Sequence, residues 1–227
     1  MVLSLASCSQ NEPTSKDQKE EQEFQFDPAY SGYYLENRYI QLLSKTKSTK
    51  KAHGEEGARI FVVTKSGYFI PMSLHEGANE YKIRMTSDST GIVKDLDDKL
   101  SFVDQGFLSN KQFFKKAPKS SLEGVDQLIN DQVISGKYLY NGKEVSFESN
   151  GVVLGLEGIK SYRLWTDYIG AGLNEDLISF NEEEFQLIYA WEKDTLKLYS
   201  KKCILPEDDF CIEIAKDSLF GVFVPIK

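Results

Sequence analysis

Apolar positions along this chain recur mostly at every second residue, in short runs broken by Gly, Asn, Asp and Lys. Ile60-Phe61-Val62-Val63 passes through Lys65-Ser66-Gly67 to Tyr68-Phe69-Ile70, which predicts a hairpin. Tyr81, Ile83 and Met85 alternate with Lys82, Arg84 and Thr86, giving a strand with one apolar and one wet face. Weaker strands follow at 91–94 and 100–103. In the second half, Tyr138–Tyr140 meets Val145–Phe147 across Asn141-Gly142, and that run meets Val152–Leu156 across Asn150-Gly151. Asn-Gly favours type I′ turns, whose twist matches paired strands. Further strands are predicted at 162–165, 177–180, 185–191, 196–199, 210–214 and 219–224.

Two stretches keep helical spacing instead. Between Ser31 and Ala52, Leu35, Tyr39, Leu42 and Leu43 fall on one stripe. Ser31 is the predicted cap, and the lysines at 45, 47, 50 and 51 suit the negative end of a helix dipole. Farther on, Ser120 and Glu123 have the spacing of a capping box ahead of Leu122, Val125, Leu128, Ile129 and Val133. Ser135-Gly136 ends that run.

Many short strands joined by tight turns, with one or two short helices, predict a mainly β fold. An antiparallel β-barrel removes exposed strand edges by closing on itself. A two-sheet β-sandwich is the alternative that periodicity leaves open. No fixed-length repeat and no linker-like stretch interrupts 24–227, so one barrel domain is expected there. From Ser9 to Glu23 the chain has no apolar residue, as in a disordered tether.

Composition narrows the function. The 227 residues carry a net charge of −8 and are 41% hydrophobic and 12% aromatic, enough for a core. An acidic chain with a pI near 5.0 lacks the basic face that nucleic acid requires, so no nucleic-acid partner is expected. No run approaches the ~18 apolar residues of a membrane-spanning helix. His53 and His75 are the two histidines, which leaves little material for histidine-based catalysis.

Leu5-Ala6-Ser7-Cys8 resembles the lipobox of bacterial lipoproteins: a branched apolar residue and two small ones before a cysteine. The resemblance implies that residues 1–8 are a truncated signal peptide, with only Met1 to Ser4 ahead of the box. It also implies that Cys8 is lipidated and that the membrane is a partner through this anchor. Ser9-Gln10 lacks the aspartate associated with inner-membrane retention, so a lipid-anchored place in the cell envelope, at the outer membrane, is expected. Cys203 and Cys211 then remain, separated by a polar loop containing Pro206. An oxidising periplasm would close them into a disulfide, the alternative being two buried thiols. No CxxC spacing suggests a metal.

The order of elements resembles the lipocalin-like lipoproteins of Gram-negative cell envelopes. Tyr39-Ile40-Gln41-Leu42-Leu43 leading into Thr46-Lys47-Ser48 carries the resemblance, with His75-Glu76-Gly77, the helix before Gly136-Lys137-Tyr138, and the late hairpin from Tyr189 to Tyr199. Thr166-Asp167-Tyr168 matches the Thr-Asp-Tyr triplet of lipocalins, whereas Gly32-Tyr33-Tyr34 has tyrosine where their Gly-x-Trp has tryptophan. A calycin-type barrel is implied, in a family whose members commonly lack an assigned ligand.

His75 and Glu76 at a strand end could sit at a barrel mouth and hydrogen-bond a ligand, or simply end the strand at Gly77. No Gly-x-Ser-x-Gly elbow supplies a serine nucleophile, so no catalytic residue is expected. His53-Gly54-Glu55-Glu56 reads as a surface loop, and Asp95, Asp97 and Asp98 as a solvated turn without the calcium-loop order. Tyr162, Trp165, Tyr168, Tyr189 and Trp191 crowd into consecutive strands, where they either fill a core or line an apolar pocket. The leading expectation is a small apolar or amphipathic ligand inside the barrel, lined by Tyr39, His75, Trp165, Tyr168 and Trp191, with no cofactor. The alternative is a non-enzymatic interaction module of an envelope assembly that acts through its outer surface.

Overall fold

Strand β1 (Gly32–Glu36) lies between two hydrophobic cores and organises the molecule. Tyr34 points into one core and its neighbour Leu35 into the other, and both are almost fully buried. The computed structural model describes residues 24–54, 59–72, 79–168, 174–207 and 210–226.

The first core fills a closed eight-stranded antiparallel barrel. It runs from β1 through β2 (Ile60–Val63), β3 (Tyr68–Met72), β4 (Tyr81–Ser87), β5 (Thr90–Val93), β6 (Asp98–Val103), β7 (Gly106–Ser109) and β8 (Gln112–Lys116). Pairing of β8 with β1, Lys115 opposite Leu35, shuts the wall. The sandwich alternative is thereby overturned, because the sheet has no open edge. Phe107 is fully buried, with ring centroids 4.9 Å from both Tyr34 and Phe114 and about 6 Å from Phe61, Phe69 and Phe102. Such pairs add ~0.5–1.5 kcal/mol each beyond their area burial. At Gly106 the backbones approach so closely that a Cβ would lie 2.0 Å from the Phe114 carbonyl oxygen.

Between β1 and β2 the chain leaves the barrel for two helices, α1 (Asn37–Thr46) and α2 (Thr49–His53). The sequence stripe places one helix over the whole of 31–52, and the structure corrects it. Residues 32–36 are a barrel strand, since Tyr34 must face the barrel and Leu35 the other core. The stripe nevertheless groups the right side chains, because Leu35, Tyr39 and Leu43 share one cluster. Lys47 ends α1 in the left-handed region at φ 52°, its N–H donating to Leu43 O at 2.8 Å.

After β8 comes α3 (Leu122–Val133), whose cap is Ser121 rather than Ser120. The expected capping box does not form: Ser121 makes no capping bond, and Glu123 instead pairs with Lys119 at 3.2 Å. Its last turn holds no basic residue, but Lys47 Nζ reaches across to donate to Gln132 O at 2.5 Å, placing a cation at the helix's negative end.

The remaining strands form a second eight-stranded sheet: β9 (Gly136–Tyr140), β10 (Lys143–Phe147), β11 (Val153–Leu154), β12 (Tyr162–Leu164), β13 (Leu177–Phe180), β14 (Phe185–Glu192), β15 (Thr195–Glu207) and β16 (Phe210–Pro225). Their order is β11-β10-β9-β16-β15-β14-β13-β12, and a bridge between Val152 and Ser161 brings the two edge strands together. One face packs on α1 and α3 to make the second core. The closed wall is thus confined to residues 32–116, where the sequence reading spread it over 24–227.

Asn141 and Gly142 adopt φ 49° and 75°, as a type I′ turn demands. Asn150-Gly151 behaves differently: Phe147 pairs with Val153, so a longer connection intervenes, and Asn150 Oδ1 accepts the Val152 N–H at 3.1 Å. The strands expected at 210–214 and 219–224 are one continuous β16. Four register shifts bend the β15–β16 ribbon, and Ile214 packs on Leu177 and Ile188. Cys203 and Cys211 are joined by a disulfide, Cα to Cα 5.8 Å.

Candidate functional site

The side chains singled out in the sequence gather mainly where α1 turns into α2 against the second sheet. Ser48 caps α2 by accepting the Lys51 N–H at 2.9 Å. Beneath the turn lies a knot of hydroxyls around one carboxylate. Thr49 Oγ1 is 2.7 Å from the Tyr168 hydroxyl and 2.8 Å from that of Tyr189. Asp176 Oδ1 lies 3.1 Å from Thr49 Oγ1 and 3.2 Å from the Tyr189 hydroxyl, and accepts the Lys50 backbone N–H at 2.8 Å. The donors fit when Tyr189 and Thr49 both give their protons to Asp176, Thr49 N–H bonds Tyr189 at 3.0 Å, and Tyr168 donates to Thr49.

Burial, reinforced by the charge of Asp176, pushes the Tyr39, Tyr168 and Tyr189 hydroxyls well above the ordinary phenol range. Burial likewise lowers the Lys47 ammonium. His53, read from sequence as part of a surface loop, is buried at the end of α2 with its ring edge-on to Tyr168 at 5.5 Å.

Above this knot opens a cleft of about 310 Å³. Thr46, Lys47, Ser48, Lys50 and Lys51 form one side, and Asp176, Tyr189, Ala190, Trp191, Glu192 and Lys216 are among the residues of the other. Lys197 engages Glu192 at 2.5 Å. The Asp176 oxygen is occupied by the donors below. The cleft is thus lined by Lys50, Lys51 and Lys216 together with Glu175 and the half-buried indole of Trp191, while the Lys47 ammonium is turned to Gln132 O.

Of the expected lining residues, Tyr168 belongs to the knot and Trp191 to the cleft. Tyr39 lies in the core beside them, 2% exposed, with its hydroxyl unpartnered among the described residues. Trp165 packs instead with Leu177, Ile188 and Ile214, donates its indole N–H to Asp167 O, and walls a separate cleft of about 250 Å³. Cys8 and His75 fall outside the described residues. None of Tyr39, Trp165, Tyr168 and Trp191 belongs to the core of the closed barrel, which its own phenyl rings fill. Thr49 and Asp176 carry no signal in the sequence, because a single polar residue at the start of a short helix or just before a strand makes no periodic pattern.

Comparison with protein-family models, with curated proteins and with solved structures gives no match. An eight-stranded closed antiparallel barrel with few helices is compatible with a calycin-like fold.

Proposed function

We propose that this chain is a non-catalytic binding protein that takes a small amphipathic anion in the cleft between α2 and β14. The observation that carries this reading is the placement of Lys50, Lys51 and Lys216 along one cleft of a chain with net charge −8, where Asp176 and Glu192 are already engaged by donors of the chain and Glu175 is the remaining carboxylate of the wall. Ammonium groups at a partly enclosed site attract an anionic head, while Ala190 and Trp191 offer an apolar wall to the rest of the molecule. The lipobox-like Leu5-Ala6-Ser7-Cys8 supports an envelope lipoprotein held through Cys8, with the binding domain carried beyond a polar tether.

Titration with decanoate, dodecyl phosphate and the uncharged dodecyl maltoside tests the cleft, read by Trp191 fluorescence in a Trp165→Phe background. Saturable changes should appear with the two anions only, and paired Lys50→Glu and Lys51→Glu substitutions should weaken them by about tenfold or more. Absence of saturation with both anions, or equal response to the maltoside, overturns the reading. A Cys8→Ser variant should leave the membrane fraction, and unchanged fractionation would refute the anchor.

A second reading, an interaction module acting through its outer surface, is favoured by a different feature: an exposed apolar stripe on the second sheet.

A further inference from the structure

Two clefts of about 250 and 340 Å³ lie side by side along β12 and share Arg163, Ser179 and Glu183. They form one groove, with Trp165 and Asp167 at one end and Ser161 at the other. It has no lining residue in common with the cleft beside Trp191. From Ser161 to Trp165 it follows about 13 Å of nearly extended chain, which is room for more than one sugar ring.

Ser179 is the informative residue of this groove. It stands opposite Arg163 on one side and Gln186 on the other, and it is only 4% exposed. Lys201 Nζ donates to Gln186 Oε1 at 2.7 Å, and Gln186 Nε2 donates to Ser179 Oγ at 3.1 Å. An ammonium can only donate, so it fixes the orientation of the Gln186 amide, and Ser179 must accept. The Ser179 proton is left with no acceptor among the described residues. A buried hydroxyl in that state costs free energy unless an oxygen in the groove takes its proton.

The rim is held in place as well. Asn181 donates from Nδ2 to Gly158 O at 2.8 Å and accepts the Lys160 N–H on Oδ1 at 2.9 Å. With this anchor Glu182 and Glu183 adopt φ 58° and 75°, a conformation glutamate rarely takes, and both border the groove. Asp126 Oδ2 lies 3.4 Å from Arg163 Nε and steadies the guanidinium from α3.

We propose that this groove is a second binding site, which takes a neutral oligosaccharide laid along β12. Such a ligand supplies oxygens for Ser179 and Arg163, hydroxyl donors for Asp167 and Glu183, and C–H faces for the half-buried indole of Trp165. An anion would meet the carboxylates of Asp167, Glu182 and Glu183. A purely apolar ligand would leave the Ser179 proton and the guanidinium unsatisfied.

The full-length Cys8→Ser, Trp191→Phe chain keeps Trp165 as its one tryptophan and carries no lipid. Its emission is followed during titration with cellotetraose, maltotetraose and chitotetraose up to about 10 mM. A saturable change with at least one of them is expected, and because the ligand is uncharged it should persist in about 0.5 M salt. Ser179→Ala and, separately, Glu183→Ala should each weaken it about 3–10-fold, the loss of one hydrogen bond. Glu183 is exposed, so that variant should keep the circular dichroism and melting profile of its parent. No saturation with any of the three sugars overturns the proposal, as does binding that both substitutions leave unchanged. Saturation by spermidine alone, abolished by salt, would assign the groove to cations instead.

Discussion

Asp176 Oδ1 accepts the backbone N–H of Lys50 at 2.8 Å, joining residues 126 apart in the chain. Lys50 sits in an insertion between two barrel strands, and Asp176 leads into β13 of the second sheet. This bond therefore helps hold the α1–α2 excursion of the barrel against the second sheet. Because α2 has only five residues, it has little stability of its own and depends on such contacts.

Replacing Asp176 by alanine should cost about 2–4 kcal/mol, since hydrogen bonds to a charged acceptor are lost and buried donors go unsatisfied. Asp176→Asn keeps one acceptor oxygen and should cost less. Urea unfolding monitored by circular dichroism gives both values. Equal, small losses in the two variants would show that the knot is not held by the carboxylate.

Alkaline pH should unfold the protein cooperatively. Burial raises Tyr34, Tyr39, Tyr138, Tyr162, Tyr168 and Tyr189 above the ordinary phenol value. The folded state then keeps protons that the unfolded state releases above pH ~10, so stability is intact below that pH and falls as pH rises through it. Each such tyrosine contributes up to ~1.4 kcal/mol per pH unit. Absorbance at the phenolate band should rise in two stages, exposed tyrosines first and the buried set together with loss of circular dichroism. A single smooth titration with the fold intact would contradict this.

The barrel's strands were legible because each alternates, and the Asn141-Gly142 turn because its residues tolerate positive φ. What escaped was the partition into two sheets. Alternation tells which residues face inward, not which interior they face, and Tyr34 and Leu35 serve two. The helical stripe from Leu35 to Leu43 failed at its first turn for the same reason: a strand running into a helix can aim those side chains at a single core. The site was legible in its aromatics, Tyr39, Tyr168 and Trp191, which are large and rare. Thr49 and Asp176 gain their meaning only from a contact across more than a hundred residues, which no local pattern records.

Phe107 is the hub of the barrel interior, so Phe107→Ala should cost about 3–5 kcal/mol, the range for emptying a buried aromatic site. Phe107→Leu should cost less, because most of the volume is kept. If the barrel and the second sheet unfold as one unit, denaturant curves read by Trp191 will shift with those read by far-UV circular dichroism. Divergent midpoints in Phe107→Ala would show that the two cores melt separately.

The β15–β16 hairpin should depend locally on its disulfide. On β15 the pairing with β14 stops at Tyr199, and β9 meets β16 only at Val224 and Pro225. Over about 200–207 and 210–218 the two strands form a two-stranded ribbon, an arrangement of marginal stability in water. The Cys203–Cys211 bond closes a short loop near its tip, which by loop-closure entropy contributes about 2.5 kcal/mol. Ile214 and Cys211 pack beside Trp165 under the bent ribbon, so loosening the tip should expose that indole. A Cys203→Ser, Cys211→Ser double variant should show faster amide exchange across 200–218 and a red-shifted Trp165 emission. Exchange in β2 to β8 should be unchanged, because the filled barrel makes no use of the ribbon. Uniformly faster exchange throughout the chain would mean that the disulfide supports the whole fold rather than its arm.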